Sequence, residues 1–268
     1  MSREGYTYQT IAPYVEPVTL AQAKRQCRED GTDEDTFITS LIPVARQYVE
    51  TYCNQQLVAA TFEQKLDHFP CGNRICLNWP PLIGTPVITY LDTDGTTQTL
   101  STSVYEVNTR SLPGYIKLAY NQFWPTTRCQ QDAVTITFTA GFATPFTVDT
   151  ATNILTLKGR NPTTGERVRL TGSEGTLPGG LSLNTDYYVI GASGSACQLS
   201  TTSNGSGVDI TSAGSGTYFI GTVPECATQA ILLLINHLFQ TRSAKVEKDL
   251  VPPQIGWCLS PLLWGAMV

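Results

Sequence analysis

Apolar residues recur every three or four positions along DTFITSLIPVARQYVETYCN, residues 35 to 54: Phe37, Leu41, Val44, Tyr48 and Tyr52 form one stripe, and Ile38, Ile42, Ala45 and Val49 widen it. That period is a helical one, and the stripe is wider than a helix covering a single core needs. Asp33 is the expected N-cap, with Glu34 and Asp35 at the positive end of the helix, and Pro43 inside the pattern predicts a kink. A shorter helix precedes it in EPVTLAQAKRQCRE. There Thr19 is the natural N-cap, Leu20, Ala23 and Cys27 follow at helical spacing, and Gly31 is the expected stop.

From Leu57 the period falls to two. ATFEQKLDHF, RICLNWPPL and PVITYLDTDGTTQTL alternate apolar and polar residues, with Asp94-Gly95 as a hairpin turn; VYEVNTR, the turn Leu112-Pro113-Gly114, YIKLAY and AVTITFTAGF continue the alternation. These strands predict a β-meander. Between Ala143 and Thr222 charges thin out and Thr, Ser and Gly dominate. Short alternations recur in NILTLKG, ERVRLTG, DYYVIGAS, ACQLSTT and GTYFIGT, separated by turns at Asn161-Pro162, Thr164-Gly165, Pro178-Gly179-Gly180 and Asn204-Gly205. This stretch predicts a small all-β barrel or sandwich.

Helix returns in VPECATQAILLLINHLFQTRSAKVE, with Pro224 at the first helical position and a broad apolar face of Ile231, Leu234, Ile235, Leu238 and Phe239. The tail breaks at Pro252-Pro253 and then carries Trp257, Leu262, Leu263, Trp264 and Met267. So short a segment cannot shield these groups: they fold back on the chain's own core or dock on another subunit, and the Pro-Pro break favours an arm reaching outward. The fold class expected is α+β. A mainly helical core, with two N-terminal helices, one long C-terminal helix and a β-meander, occupies residues 1–142 and 223–268 as one domain. An all-β domain is inserted over 143–222, with the Thr144-Pro145 and Val223-Pro224 junctions as its edges.

Composition removes several function classes. Among 268 residues, 41% are hydrophobic and 15% charged, and the net charge of -5 offers no positive field for gripping nucleic acid. No apolar run approaches the roughly 20 residues that span a bilayer, and the N-terminus has no signal-like pattern, so a soluble chain without membrane contact is expected. The eight cysteines read as reduced thiols, and Cys71 and Cys76 in CGNRIC lack a second pair for a zinc site. Only His68 and His237 are present, neither beside a convincing partner, and no lysine-bearing phosphate loop accompanies GSEGTLPGG or SAGSGTYF, which read as turns. Neither an enzyme nor a bound cofactor or metal is expected. The acids of EDGTDED read as a helix end and cap, and Lys158, Arg160, Arg167 and Arg169 of KGRNPTTGERVRL as a solvated hairpin face.

The stretch EPVTLAQAKRQCREDGTDEDTFITSLIPVARQYVETYCNQQLVAATFEQKLDHFP resembles the N-terminal region of the head-to-tail connector proteins of long-tailed phages, also called head-completion or adaptor proteins. The shared features are the Pro-Val-Thr-Leu helix entry, an Asp-rich turn, a long helix ending in an aromatic, WPPL leading into VITYLDTDG, and FTAGF followed by VPECATQAILLLINHLF. The stretch 143–222 is similar to small β-domains grafted into phage structural proteins. The resemblance implies a virion structural protein at the neck and portal vertex, present in host cytoplasm during assembly. Copies would form a cyclic ring, commonly twelvefold, beneath the portal protein. The ring would extend the DNA channel without gripping the genome and present a platform to a stopper or tail-terminator protein, with the insert contacting the capsid. On this reading Phe37, Tyr48, Tyr52, Trp257, Leu262, Leu263 and Trp264 form the subunit or portal interface. An alternative is a host- or glycan-binding β-module carried on a structural stalk.

Overall fold

The computed structural model describes residues 5–183, 185–241 and 253–263. Helix α1 (Leu20–Cys27) begins as its sequence predicts: the Thr19 hydroxyl accepts from the Gln22 N–H, and the Gln22 side chain accepts from the Thr19 N–H. It stops at Arg28 rather than Gly31, because Arg28 itself takes the left-handed conformation (φ 57°) and donates back to the Arg25 carbonyl. Helix α2 (Asp35–Cys53) is entered at Glu34, not Asp33, with no side-chain cap; a backbone turn from Asp35 N–H to the Thr32 carbonyl precedes it, and Lys24 pairs with Asp35 at 2.5 Å. Pro43 does not break α2. Buried Ile38, Ile42, Ala45 and Arg46 anchor the turns on both sides of it, which holds the helix through the missing hydrogen bond. Helix α3 (Glu225–Gln240) packs on α1 and α2, and α4 (Pro253–Leu259) with a 3₁₀ turn (Ser260–Leu262) packs on α3.

The strands outside the barrel, one before α1 and seven after α2, do not make a meander. In chain order they are β1 (Tyr6–Ile11), β2 (Ala60–Leu66), β3 (Arg74–Cys76), β4 (Leu82–Leu91), β5 (Thr97–Thr99), β6 (Tyr105–Asn108), β7 (Tyr115–Leu118) and β8 (Val134–Ala140). β8 inserts between β2 and β4, giving a five-stranded antiparallel sheet in the order β1-β2-β8-β4-β5, while β3, β7 and β6 form a separate three-stranded sheet. The inner positions Ala60, Phe62 and Leu66 of β2, Ile88 of β4 and Val134, Ile136 and Phe138 of β8 share a core with Ile75 and Ile116 of the smaller sheet. The opposite positions, Thr61, Glu63 and Lys65 of β2 and Thr135, Thr137 and Thr139 of β8, form an outer face rich in hydroxyls that also carries a Glu63–Lys65 ion pair (3.1 Å). β1 is an edge strand that burial patterning cannot reveal, because nearly all its side chains face solvent and the backbone ladder to β2 holds it.

Strands β9 (Ala143–Asp149), β10 (Ile154–Leu157), β11 (Arg167–Thr176), β12 (Asp186–Ser193), β13 (Ala196–Ser200) and β14 (Ser215–Gly221) close into a six-stranded barrel. Leu155, Leu157, Leu170, Val189, Leu199 and Ile220 fill it. Thr144-Pro145 is not a junction but part of β9, Pro145 lying opposite Phe219 of β14. The Gly-rich runs are partly strand as well: Gly172 and Gly175 sit in β11, opposite Tyr218 and Gly216. In place of one core for the helices and meander, the apolar residues form separate helical, sheet and barrel clusters.

The three clusters meet at one short segment. Residues 55 to 60, which lead from α2 into the first residue of β2, are all buried. Gln56 N–H donates to the Pro80 carbonyl, Phe142 N–H to the Leu57 carbonyl, and Ala59 N–H to the Ala143 carbonyl. Val58, Ala143 and Phe219 pack together there. Gly141 turns the chain from β8 into β9 at φ 143°, where a Cβ would stand 2.6 Å from the Ala59 nitrogen and 2.8 Å from its Cα. No side chain fits against backbone at that distance. Gly141→Ala therefore lowers stability by about 2 kcal/mol or more, read as a fall in the thermal midpoint, whereas Gly165→Ala, in open space, costs about 1 kcal/mol.

Candidate assembly surface

The two apolar stripes of α2 separate in the fold. Ile38, Ile42, Ala45, Val49 and Cys53 are buried against Ala227, Ala230, Ile231, Leu234 and Ile235 of α3. The other stripe faces outward: Leu41 and Tyr48 are only partly covered, Val44 is 52% exposed and Tyr52 43% exposed. Tyr48 and Tyr52, one turn apart, stack at 6.1 Å between ring centroids.

The tail does not reach outward. Ile255 and Leu259 bury themselves in the helical core, and the Leu262 carbonyl accepts from Gln55 Nε2 at 2.9 Å. Burying these two aliphatic side chains stabilises the docked position more than exposure of one indole penalises it. Trp257, on the opposite side of α4, is left 77% exposed. The Tyr52 hydroxyl lies against α4, 3.5 Å from where a Cβ on Gly256 would stand, so Tyr48, Tyr52 and Trp257 belong to one region. Phe37 is elsewhere, against Phe239 at the far end of α2 and α3 (6.2 Å). Leu262 and Leu263 are half-buried. Trp264 and Met267 lie outside the described residues.

On a different face of α2 lies a polar network that hydrophobic periodicity did not reveal. Arg46 bonds Glu16 at 2.7 Å and Glu50 at 2.5 Å; the other Glu50 oxygen accepts from Gln56 Nε2 (2.7 Å) and the Leu57 N–H (3.1 Å). Both Arg46 and Glu50 are buried. Burial pushes the Glu50 carboxyl up to about 7, against the pull of Arg46 and the Leu57 N–H. Burial alone would lower Arg46, but Glu50 and Glu16 outweigh it and hold its pKa above the ordinary value. The i,i+4 spacing of Arg46 and Glu50 was the available signal.

The remaining candidates stay apart. Among the described residues no three of His, Cys, Asp and Glu form a metal-binding group, and all eight cysteines are free. No helix among them is long and apolar enough to cross a membrane. Arg167 and Arg169 both bond Asp186 and hold its carboxyl down at about 2. Arg160 bonds Glu166.

Residues 17–72, which contain α1, the acidic turn, α2 and β2, match the family of phage gp6-like head-tail connector proteins. The resemblance seen in the sequence is thus that of a phage head-tail connector over this segment, a structural rather than an enzymatic family. No curated protein matches the chain. Similar solved structures include a chain from the neck of an empty gene transfer agent particle computed with C6 symmetry (19% identity, TM-score 0.45, covering 51% of this chain and 71% of that one). Another comes from the virion of a native gene transfer agent particle (19%, 0.43, 51% and 71%), and a third from the neck of the native particle computed with C12 symmetry (17%, 0.42, 51% and 70%).

Glu50 gives the stability of the fold a pH signature. Its folded-state pKa, about 7, lies above that of an unfolded glutamate, so the folded chain binds the extra proton and stability falls as pH rises from about 4.5 to 7. Thermal melts of the wild type at pH 5 and pH 7.5 carry a contribution of about 2 kcal/mol from this group, and Glu50→Gln removes that part of the pH dependence.

Proposed function

We propose that this chain is a virion neck protein whose copies form a connector ring beneath the portal, extend the DNA channel and carry the docking platform for a stopper or tail-terminator protein. The observation that carries the reading is the head-tail connector match over α1 and α2, whose outward stripe is left uncovered within the subunit. Tyr48, Tyr52, Val44 and Trp257 then meet the neighbouring subunit. A cyclic assembly supplies the cover that a single chain does not. A net charge of -5 suits a conduit, since a strongly basic lumen would hold phosphates and slow passage.

Residues 143–222 form an inserted module in this reading, and 1–142 with 223–268 the ring-building unit. Ala143 and Gly221 face each other at the entrance and exit of the barrel, so the two ends of the module lie side by side.

Electron microscopy of particles is the direct test: the ring is expected at the neck, and particles whose neck lacks this polypeptide would overturn the proposal. Combining Tyr52→Glu with Trp257→Glu places charge on the outward stripe. The double variant should stay folded, with its thermal midpoint within a few degrees of wild type, but sediment as the monomer under conditions where the wild type forms rings. Joining Ala143 to Gly221 through a short Gly-Ser linker should leave heads joined to tails, because the ring-building unit is complete without the barrel.

A further inference from the structure

The loop after β10 lays Lys158, Gly159, Arg160 and Asn161 over the hydroxyl-rich outer face of the five-stranded sheet, where Thr139 Oγ1 donates to the Gly159 carbonyl at 2.9 Å. A cleft of about 390 Å³ opens along this seam, lined by Tyr14, Thr61, Thr139, Lys158, Arg160 and Ser195 among others. A second recess of about 400 Å³ adjoins it, sharing Thr139, Arg160 and Asn161.

Of the two cations in this seam, one is spent on an ion pair within the fold and one is not. Lys158 bonds the Pro145 carbonyl through its backbone N–H, while its ammonium has no carboxylate within ion-pair distance among the described residues. Arg160 is held by Glu166, yet its buried Nε has no hydrogen-bond partner. Arg167 and Arg169 lie on β11, which pairs with β12 and β14 and not with β10, so the four basic residues do not share the hairpin expected from the sequence; both are committed to Asp186. Tyr14 is 55% exposed, and its ring lies 3.6 Å from where a Cβ on Gly159 would stand, beside the basic loop.

An unpaired ammonium, a row of hydroxyls and one exposed aromatic ring are the groups that hold a sugar bearing an acid. Hydroxyls exchange hydrogen bonds with the sugar's own, the ring covers its C–H face, and the cation takes the acid group. An apolar ligand finds little to bury against here, and one free lysine on an acidic chain does not hold a nucleic-acid backbone. We propose that the seam between the barrel and the sheet is a binding site for an anionic saccharide unit, its acid group on Lys158 and its ring against Tyr14. The acid is a carboxylate or a phosphate.

Isothermal titration of the full chain against three oligomers tests this: a galacturonic acid oligomer, a glycerol-phosphate oligomer with sugar substituents, and a neutral galactose oligomer. One acidic probe should bind at least about tenfold more tightly than the neutral one, with affinity falling as salt rises, and the probe that does so identifies the acid. Lys158→Gln should reduce that affinity about tenfold, Lys158→Arg should restore it, and Tyr14→Ala should weaken binding of acidic and neutral probes alike. Absence of binding by all three at millimolar concentration, or binding that ignores both Lys158→Gln and Tyr14→Ala, overturns the site. Neck assembly involves different residues, so it should survive these substitutions and is read separately by microscopy.

Discussion

A carboxylate with no access to water must find its partners within the chain, and Glu50 finds them on three sides. Arg46 approaches from the same helix, and Gln56 and the Leu57 N–H from the segment beyond it. These bonds fix where the chain leaves α2. Because residues 55 to 60 are wholly buried, every polar group of that backbone also needs a partner, and the Pro80, Phe142 and Ala143 backbones supply them. Helices, sheets and barrel are therefore set against one another by hydrogen bonds of fixed direction. A purely apolar contact would leave their relative orientation far freer.

Local features were legible where local chemistry decides them. The Thr19 cap, the 3.6-residue period of α2 and α3, and the alternations that became β10 to β14 are each written within a few neighbouring residues. Strand order was not, because β8 pairs with both β2 and β4 across long stretches of chain and alternation says only which face a residue takes. The same limit hid β1, whose side chains bury little, and made Thr144-Pro145 look like a boundary when the turn belongs to Gly141.

The candidate surface was half legible. Periodicity named both stripes of α2 but could not tell which one α3 would cover, and it placed Tyr48, Tyr52 and Phe37 together although the fold sends Phe37 to the other end. Trp257 was correctly seen as hard to shield. Its neighbours Ile255 and Leu259 nonetheless hold the tail down, so one short helix is both an anchor and an exposed ring. Arg46, Glu50 and Gln56 escaped notice because buried polar residues look, in sequence, like ordinary surface charge.

The antiparallel pairing of Ala143 with Gly221 has a mechanical side. A load drawing the barrel away from the rest of the chain runs down two neighbouring strands at once, and it reaches their first shared rung before any other. Rungs loaded one after another part more easily than rungs sheared together, so tension of this kind would peel the root of the barrel open while its closed wall stayed intact. The sideways stiffness of the attachment rests instead on Val58 and Phe219, wedged beside that root.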